Sequence, residues 1–331
     1  MNTRQLKWLS YLTFVVMFFA TFGGTVVTKT DSGLGCGHEW PLCHGEFVPA
    51  HTIASLIEYS HRLVSGLAGL TAVAVVIAFH LFAKNRRDLR TYSVLTLIFV
   101  LVQAVMGAMA VVYDQSSAVL AFHFGFSLIA FASSLMLALG ARRMDKLGEA
   151  SYPSGGTSRV SATFRGYTWA VTIYSYIVVY IGAYVSHTNS AGGCLGWPLC
   201  NGKFIPELSG GVTIAFVHRI AALLLLIAIA VLAVCGYRLN RGNRELQGLG
   251  IAAVTLCLMQ VFSGAAIVST LNKPEVYIFS ALLHNLLISS LFGVLCYLSV
   301  RVWQTGRATL QQPKSASAAR GIGFEPQGGK R

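Results

Sequence analysis

With 331 residues, 54% of them hydrophobic and only 11% charged, the chain is too apolar for a soluble globular domain. A formal net charge of +13 would suggest a nucleic-acid partner in a soluble protein. In a chain of this composition the basic residues report loop orientation in a membrane instead, and no nucleic acid is needed to account for them.

In chain order, MNTRQLK leads into an apolar run over 8–28 without a small-residue cleavage site, so that run is expected to stay as a first span rather than be removed as a signal. Further runs long enough to cross a bilayer, about 20 residues each, cover 56–82, 92–112, 118–140, 166–186, 212–236, 247–269 and 277–300. Eight spans result. The N-terminus and the segments 84–90, 142–165, 238–244 and 301–331 hold twenty Lys or Arg, whereas the alternate loops hold three, Lys29, Lys203 and Lys273. The basic side is the cytoplasmic one, so both termini are predicted inside and the loops after the first and fifth spans outside.

The chain also says one thing twice. CGHEWPLCHG, with Cys36, Trp40, Pro41 and Cys43, returns as CLGWPLCNG, with Cys194, Trp197, Pro198 and Cys200. The same offset, 157 or 158, carries His61 and Arg62 onto His218 and Arg219, Gln103 onto Gln260 and Gly107 onto Gly264. Four spans per copy is an even number, so both copies enter the membrane in the same sense. The predicted fold is an all-α integral membrane protein of eight transmembrane helices, arranged as two parallel four-helix bundle repeats. One half is expected over 1–147 and the other over 164–303. A flexible cytoplasmic linker is expected over 148–163 and a disordered, polar cytoplasmic tail over 304–331. Gly66, Gly69 and Gly182 read as small residues that let helices approach.

Ionisable groups inside spans are costly and mark function by default. His61, His123, His218 and His284 each fall five to seven residues into a predicted span that starts at the outer face, roughly 10 Å deep at 1.5 Å per residue. Within each half two imidazoles at one level can face each other across a flat macrocycle. Imidazole is a common axial ligand of haem iron, and cofactor sites form between bundle helices. One haem per half is therefore expected, on His61 with His123 and on His218 with His284. The plainer alternative for a single intramembrane histidine is a helix-to-helix hydrogen bond; zinc or copper would want a further ligand that neither half supplies. His38, His44, His51, His80 and His187 read as surface or interface residues, with a metal role left open for His38 and His44 beside the cysteines.

Arg62 and Arg219 follow two of these histidines on the outer side. They either bind haem propionates bidentately or snorkel to headgroups. The outward loops lie on the oxidising side, so Cys36 with Cys43 and Cys194 with Cys200 are expected to close disulfides, either as structural staples or, for the first pair, as a redox couple. Cys235, Cys257 and Cys296 read as small core residues. The two copies disagree at one sharp point: Glu58, three residues before His61, has Ala215 at the equivalent place. A carboxylate required by the fold would appear in both halves. Glu58 is therefore read as a proton acceptor or water-positioning group, the first half as catalytic and the second as electron-carrying.

TKTDSGLGCGHEWPLCHG, LIEYSHRLVSGLAG, the repeated His-Arg pair and GWPLCNG together resemble heme A synthase of the Gram-positive bacterial type, over residues 1 to about 300. Asp31 departs from that pattern, where Gly is expected. The resemblance implies oxidation of the C8 methyl of heme O to a formyl group in two successive two-electron steps, with oxygen from water. It implies heme O and heme A as substrate and product at His61 and His123, and a permanent haem b at His218 and His284. It further implies a multi-pass protein of the bacterial plasma membrane that works with heme O synthase, a cytochrome c or quinol oxidase apo-subunit and a membrane electron acceptor such as a quinone. Two other classes compete: a di-haem electron-transfer cytochrome that leaves its haems unaltered, and a transporter, which would need broken helices at mid-membrane that this sequence lacks.

Overall fold

The computed structural model describes residues 1–47, 52–113, 116–148, 160–240 and 242–310. They form eight long helices: α1 (Thr3–Lys29), α2 (Ile53–Phe82), α3 (Arg87–Val112), α4 (Ser117–Leu147), α5 (Ala162–His187), α6 (Gly210–Leu239), α7 (Arg244–Ser269) and α8 (Pro274–Leu310). The shortest have 26 residues, about 39 Å at 1.5 Å per residue, against a hydrocarbon core of about 30 Å. All eight are long and apolar enough to cross a membrane. The described residues contain no strand, only isolated bridges within the two cysteine loops.

Most helix starts are written locally. Asn2 and Gln5 form a reciprocal capping box at α1, and the side chains of Thr52, Ser116, Ser161 and Asn243 each accept the N–H three residues on, at α2, α4, α5 and α7. Pro274 opens α8, where its missing N–H costs nothing. Because Thr52 and Pro274, not hydropathy, set these starts, α2 and α8 begin three residues earlier than the apolar runs; α6, which has no side-chain cap, begins two earlier. His61 stands eight residues past Ile53, His123 six past Ser117, His218 eight past Gly210 and His284 ten past Pro274.

Packing divides the helices into two sets. α1 touches α2 and α4, and α3 touches the same two; α5 touches α6 and α8, and α7 the same two. The sets meet along α4, which packs on α5 and α8, and where α1 meets α8. α4 and α8 are accordingly the most buried spans, while α3 and α7 lie at the periphery with side chains such as Leu101, Val105 and Phe262 exposed. Leu225, Ile229, Leu291 and Leu295 centre the largest core, which also takes in Leu128 of α4.

Polar ties fasten the sets at both ends. At the end that carries the cysteine loops, Lys29 Nζ donates to Ser186 Oγ at 2.7 Å, Asn285 Nδ2 to Thr25 Oγ1 at 3.2 Å, and Ser117 Oγ to the His187 carbonyl at 2.9 Å. At the far end Glu245 of α7 accepts from Arg143 of α4 and from Tyr297 and Arg301 of α8, each near 3 Å.

The expected tail boundary moves. α8 runs through Leu310 instead of ending near Trp303, because Arg301, Gln304 and Thr305 are buried, Arg301 Nη1 donates to Gln304 Oε1, and Gly306 packs on Arg165 of α5. Residues 311–331 and most of the linker, 149–159, lie outside the described residues, as does His51.

Candidate functional site

All four span histidines sit on helices that leave the loop end, and each ring lies against a glycine of the preceding helix. A Cβ on Gly23 would stand 3.2 Å from His61 Nδ1 and one on Gly24 3.4 Å from Cε1; one on Gly107 would stand 3.7 Å from His123, one on Gly182 2.8 Å from His218, and one on Gly264 3.3 Å from His284. A Cβ at Gly23, Gly182 or Gly264 would crowd the ring of His61, His218 or His284, whereas one at Gly107 would only touch His123. The sequence signal existed, since Gly107 and Gly264 are repeat partners, but Gly182 read only as a packing residue.

The histidines interact within each set: His61 lies within electrostatic reach of His123, and His284 of His218. All four rings are half-buried. Nδ1 of His61, His123 and His218 is buried with no hydrogen-bond partner, which a helix-to-helix hydrogen bond through that atom would have provided. Unpartnered buried polar atoms are rare and call for a reason. Two imidazoles per set in apolar spans, three of the four with a spare buried nitrogen, fit an iron porphyrin.

His284 differs from the other three. Gln260 Nε2 donates to its Nε2 at 2.9 Å, and its Nδ1 lies 2.8 Å from Ser263 Oγ, which in turn donates to the Gln260 carbonyl. Both ring nitrogens of His284 are thus engaged, one by Gln260 and the other by Ser263. In the first set Gln103 Nε2 donates to the His123 carbonyl instead, and the position matching Ser263 is Met106. Neither Ser263 nor this difference was singled out in the sequence.

The two cysteine loops close as expected, Cys36 with Cys43 and Cys194 with Cys200, and all four cysteines are almost fully buried. Gly35 and Gly193 let each loop run onto the start of the following helix, where a Cβ would strike the backbone at Ala54 or Gly211. Asp31 and Asn189 take matching left-handed conformations, φ 50° and 52°, a region that Asp and Asn tolerate better than most residues. That accounts for Asp31 at a place suited to glycine.

Glu58 is 3% exposed and fully partnered. Its Oε2 accepts the Cys36 N–H at 2.8 Å and its Oε1 accepts from Arg62 Nη2 at 2.5 Å. Arg62 Nη1 also donates to the Leu42 carbonyl at 2.7 Å, while its Nε is buried without a partner. In the second set the acid is missing and the arginine replaces it: Arg219 donates to the carbonyls of Cys194, at 2.5 Å, and Leu199, at 3.0 Å. Ala215 packs against Cys194 and Cys200 in the space that Glu58 takes up in the first. Both arginines therefore tie a loop to its helix, and in the first set the tie passes through the carboxylate.

Three of the remaining histidines reach backbone carbonyls, His38 that of α3 and the other two carbonyls of their own segment. His38 Nδ1 lies 2.9 Å from the Val111 carbonyl, His44 Nε2 3.2 Å from that of Gly35, and His80 Nδ1 2.8 Å from that of Val76. Among the described residues no three His, Cys, Asp or Glu side chains gather where a metal ion could bind. Cys257 is buried in the largest core, with Cys235 and Cys296 packed against it.

A family model described as cytochrome oxidase assembly protein, COX15-CtaA, matches residues 50–296. The chain belongs to that family. It is 40% identical over 309 residues to the heme A synthase of Geobacillus kaustophilus, covering 93% of this chain and 95% of the relative. It is 41% identical over 298 residues to the heme A synthase of Halalkalibacterium halodurans, covering 89% and 96%, and 39% identical over 305 residues to that of Geobacillus thermodenitrificans, covering 92% and 93%. Membership of a bacterial family with eight spanning helices makes this a multi-pass bacterial membrane protein.

Proposed function

We propose that the chain is a heme A synthase, an oxidoreductase that converts the C8 methyl of heme O to the formyl group of heme A for cytochrome oxidase. Identity to several heme A synthases over nearly the whole chain carries the activity. The observation that carries the site is the pairing of half-buried histidines within each helix set, with a carboxylate beside one pair alone.

In this reading the two sets are parallel repeats with both termini cytoplasmic, supported by the sequence offset and by the twenty-to-three split of basic residues. His61 and His123 hold the substrate haem, and Arg62, through its spare Nε, offers a donor to a propionate. His123 lacks the serine that orients His284, which suits a ligand that must arrive and leave. Glu58 lies one helical turn before His61 on a nearby face. Arg62 and the Cys36 N–H hold the carboxylate in place, where it would orient water and take its proton as the methyl carbon is oxidised, and stabilise positive charge developing there. The apolar helices and the disulfide-closed loop exclude bulk solvent.

His218 and His284 would hold a haem b, whose contribution there would be one-electron redox chemistry. Ser263 holds the His284 ring through Nδ1, an outer partner of the kind that orients a metal-bound imidazole. Partners follow from the chemistry: heme O synthase for supply, an oxidase apo-subunit for delivery, and a membrane electron acceptor of the quinone class.

The test is haem extraction from bacteria that make heme O but lack their own synthase. Heme A is expected when this chain is supplied. Replacing His61 or His123 should abolish conversion, and replacing His218 or His284 should also strip resident haem b. Two unmodified haems per chain with heme O untouched would favour the electron-transfer cytochrome.

A further inference from the structure

At the loop end a cavity of about 480 Å³ opens between α5, α7 and α8. Its polar wall is Ser186, Asn189, Ser269, Asn272 and Tyr277. Two of these, Ser186 and Tyr277, are held by one cation from the other helix set: Lys29 Nζ donates to Ser186 Oγ at 2.7 Å and to the Tyr277 hydroxyl at 3.5 Å, and it lies 5.6 Å from the Tyr277 ring centre. No carboxylate among the described residues pairs with Lys29, although Lys7, Arg62, Arg86, Arg143, Lys203 and Arg301 each have one.

The cavity shares α8 with the second histidine pair. Tyr277 precedes His284 by seven residues on α8, about 10 Å along the axis, and Lys29 is within electrostatic reach of His284. Arg219, the cation that the sequence offers to this pair, spends both terminal nitrogens on loop carbonyls. The arrangement crosses between the sets. At the offset of 158 the counterpart of Lys29 is His187, and His187 lies within electrostatic reach of His123 in the first pair. The last residue of each set's first helix is thus within electrostatic reach of a histidine of the other set, and the one facing His284 is a lysine.

We propose that this cavity is the carboxylate subsite of the second haem position, and that Lys29, contributed by the first helix set, binds a propionate of the porphyrin held by His218 and His284. A carboxylate entering beside Lys29 gains a charge-assisted hydrogen bond in a partly desolvated place, with Ser186, Tyr277 and the two asparagines as further polar neighbours. The site is thereby completed across the junction of the two sets. The inference rests on the haem reading of His218 and His284.

The experiment uses the full chain with His61→Ala and His123→Ala, so that only the second position is read, obtained haem-free and titrated with haem b and with its dimethyl ester while the Soret band is followed. Haem b is expected to bind at least about tenfold more tightly than the ester, the worth of one charge-assisted contact. Lys29→Met should bring that ratio to within about twofold of unity, and Lys29→Arg should retain most of it. The haem midpoint potential should fall in Lys29→Met, because a cation near the iron disfavours the oxidised form. A ratio unchanged in Lys29→Met, or affinity for haem and ester reduced alike, would overturn the proposal and leave Lys29 as a helix clamp. Absence of any haem uptake that depends on His218 and His284 would instead overturn the haem reading beneath it.

Discussion

Glu58 carries two roles that one substitution confounds, and their separation can be worked from its contacts. With side chains 4% and 12% exposed, the Glu58–Arg62 pair is in the buried regime, where removing one partner costs about 3–5 kcal/mol because the other charge is stranded. Glu58→Ala also orphans the Cys36 N–H. The second set shows that the arginine has another acceptor, the loop carbonyl at Cys194, so the lower end, about 3 kcal/mol, is expected. Glu58→Gln keeps one acceptor for two donors and should cost about 1.5–3 kcal/mol, the range for a hydrogen bond to a charged group. Adding Arg62→Leu to Glu58→Ala removes the stranded charge and should recover much of the stability. Denaturant unfolding in detergent measures these losses, and heme A per chain measures turnover. If Glu58 acts as a base, both Glu58→Gln and the double variant should lose about 10²–10⁴-fold in rate while folded, the usual worth of a positioned acid or base. A double variant that makes heme A at the parental rate would refute the catalytic role and leave Glu58 as a loop fastener.

Further outcomes follow from other contacts. Ser263→Ala should weaken haem retention at the second position about 10–100-fold, as loss of a ligand-orienting partner usually does, and Met106→Ser should lengthen product residence at the first; both are read by spectral titration and haem release rates. Gly182→Val would place carbon against the His218 ring, where even a Cβ stands 2.8 Å from Cε1, and should displace that ring; full haem b content in the purified variant would contradict this placement. Opening the first loop by Cys36→Ser with Cys43→Ser, a sequence separation of seven, should cost about 2–3 kcal/mol in the chain-entropy model and lower turnover more than the same change in the second loop, since only the first loop touches Glu58.

The spans were legible because hydropathy over about 20 residues is a strong signal, but their starts, set by capping Thr52, Ser116 and Ser161, were placed at the onset of the apolar runs instead. The four histidines and the two disulfides could be chosen because they recur. What each side chain touches could not. Arg62 and Arg219 looked free for a propionate, yet they reach loop carbonyls some twenty residues away, a choice fixed by how the loop folds back. The Glu58–Arg62 pair was readable in principle as an i,i+4 contact, but attention to His61 hid it. Lys29 counted only as one outward lysine, since its partners Ser186 and Tyr277 come from helices more than 150 residues on. The end of α8 was misplaced because residues 304–306 look polar, while Gln304 and Thr305 are buried with bonds to Arg301 of the same helix and Gly306 packs on Arg165 of α5.

The different fastening of the two loops bears on anyone who would attach a reporter to this protein. In the first loop the backbone N–H of a disulfide cysteine is also a ligand of Glu58, so a tag, epitope or fluorophore there tugs on the acid and its signal cannot be told apart from a change in chemistry. The second loop is moored by an arginine to plain carbonyls and presents Phe204 and Ile205 at its exposed rim. It is the handle by which the molecule can be held without disturbing Glu58.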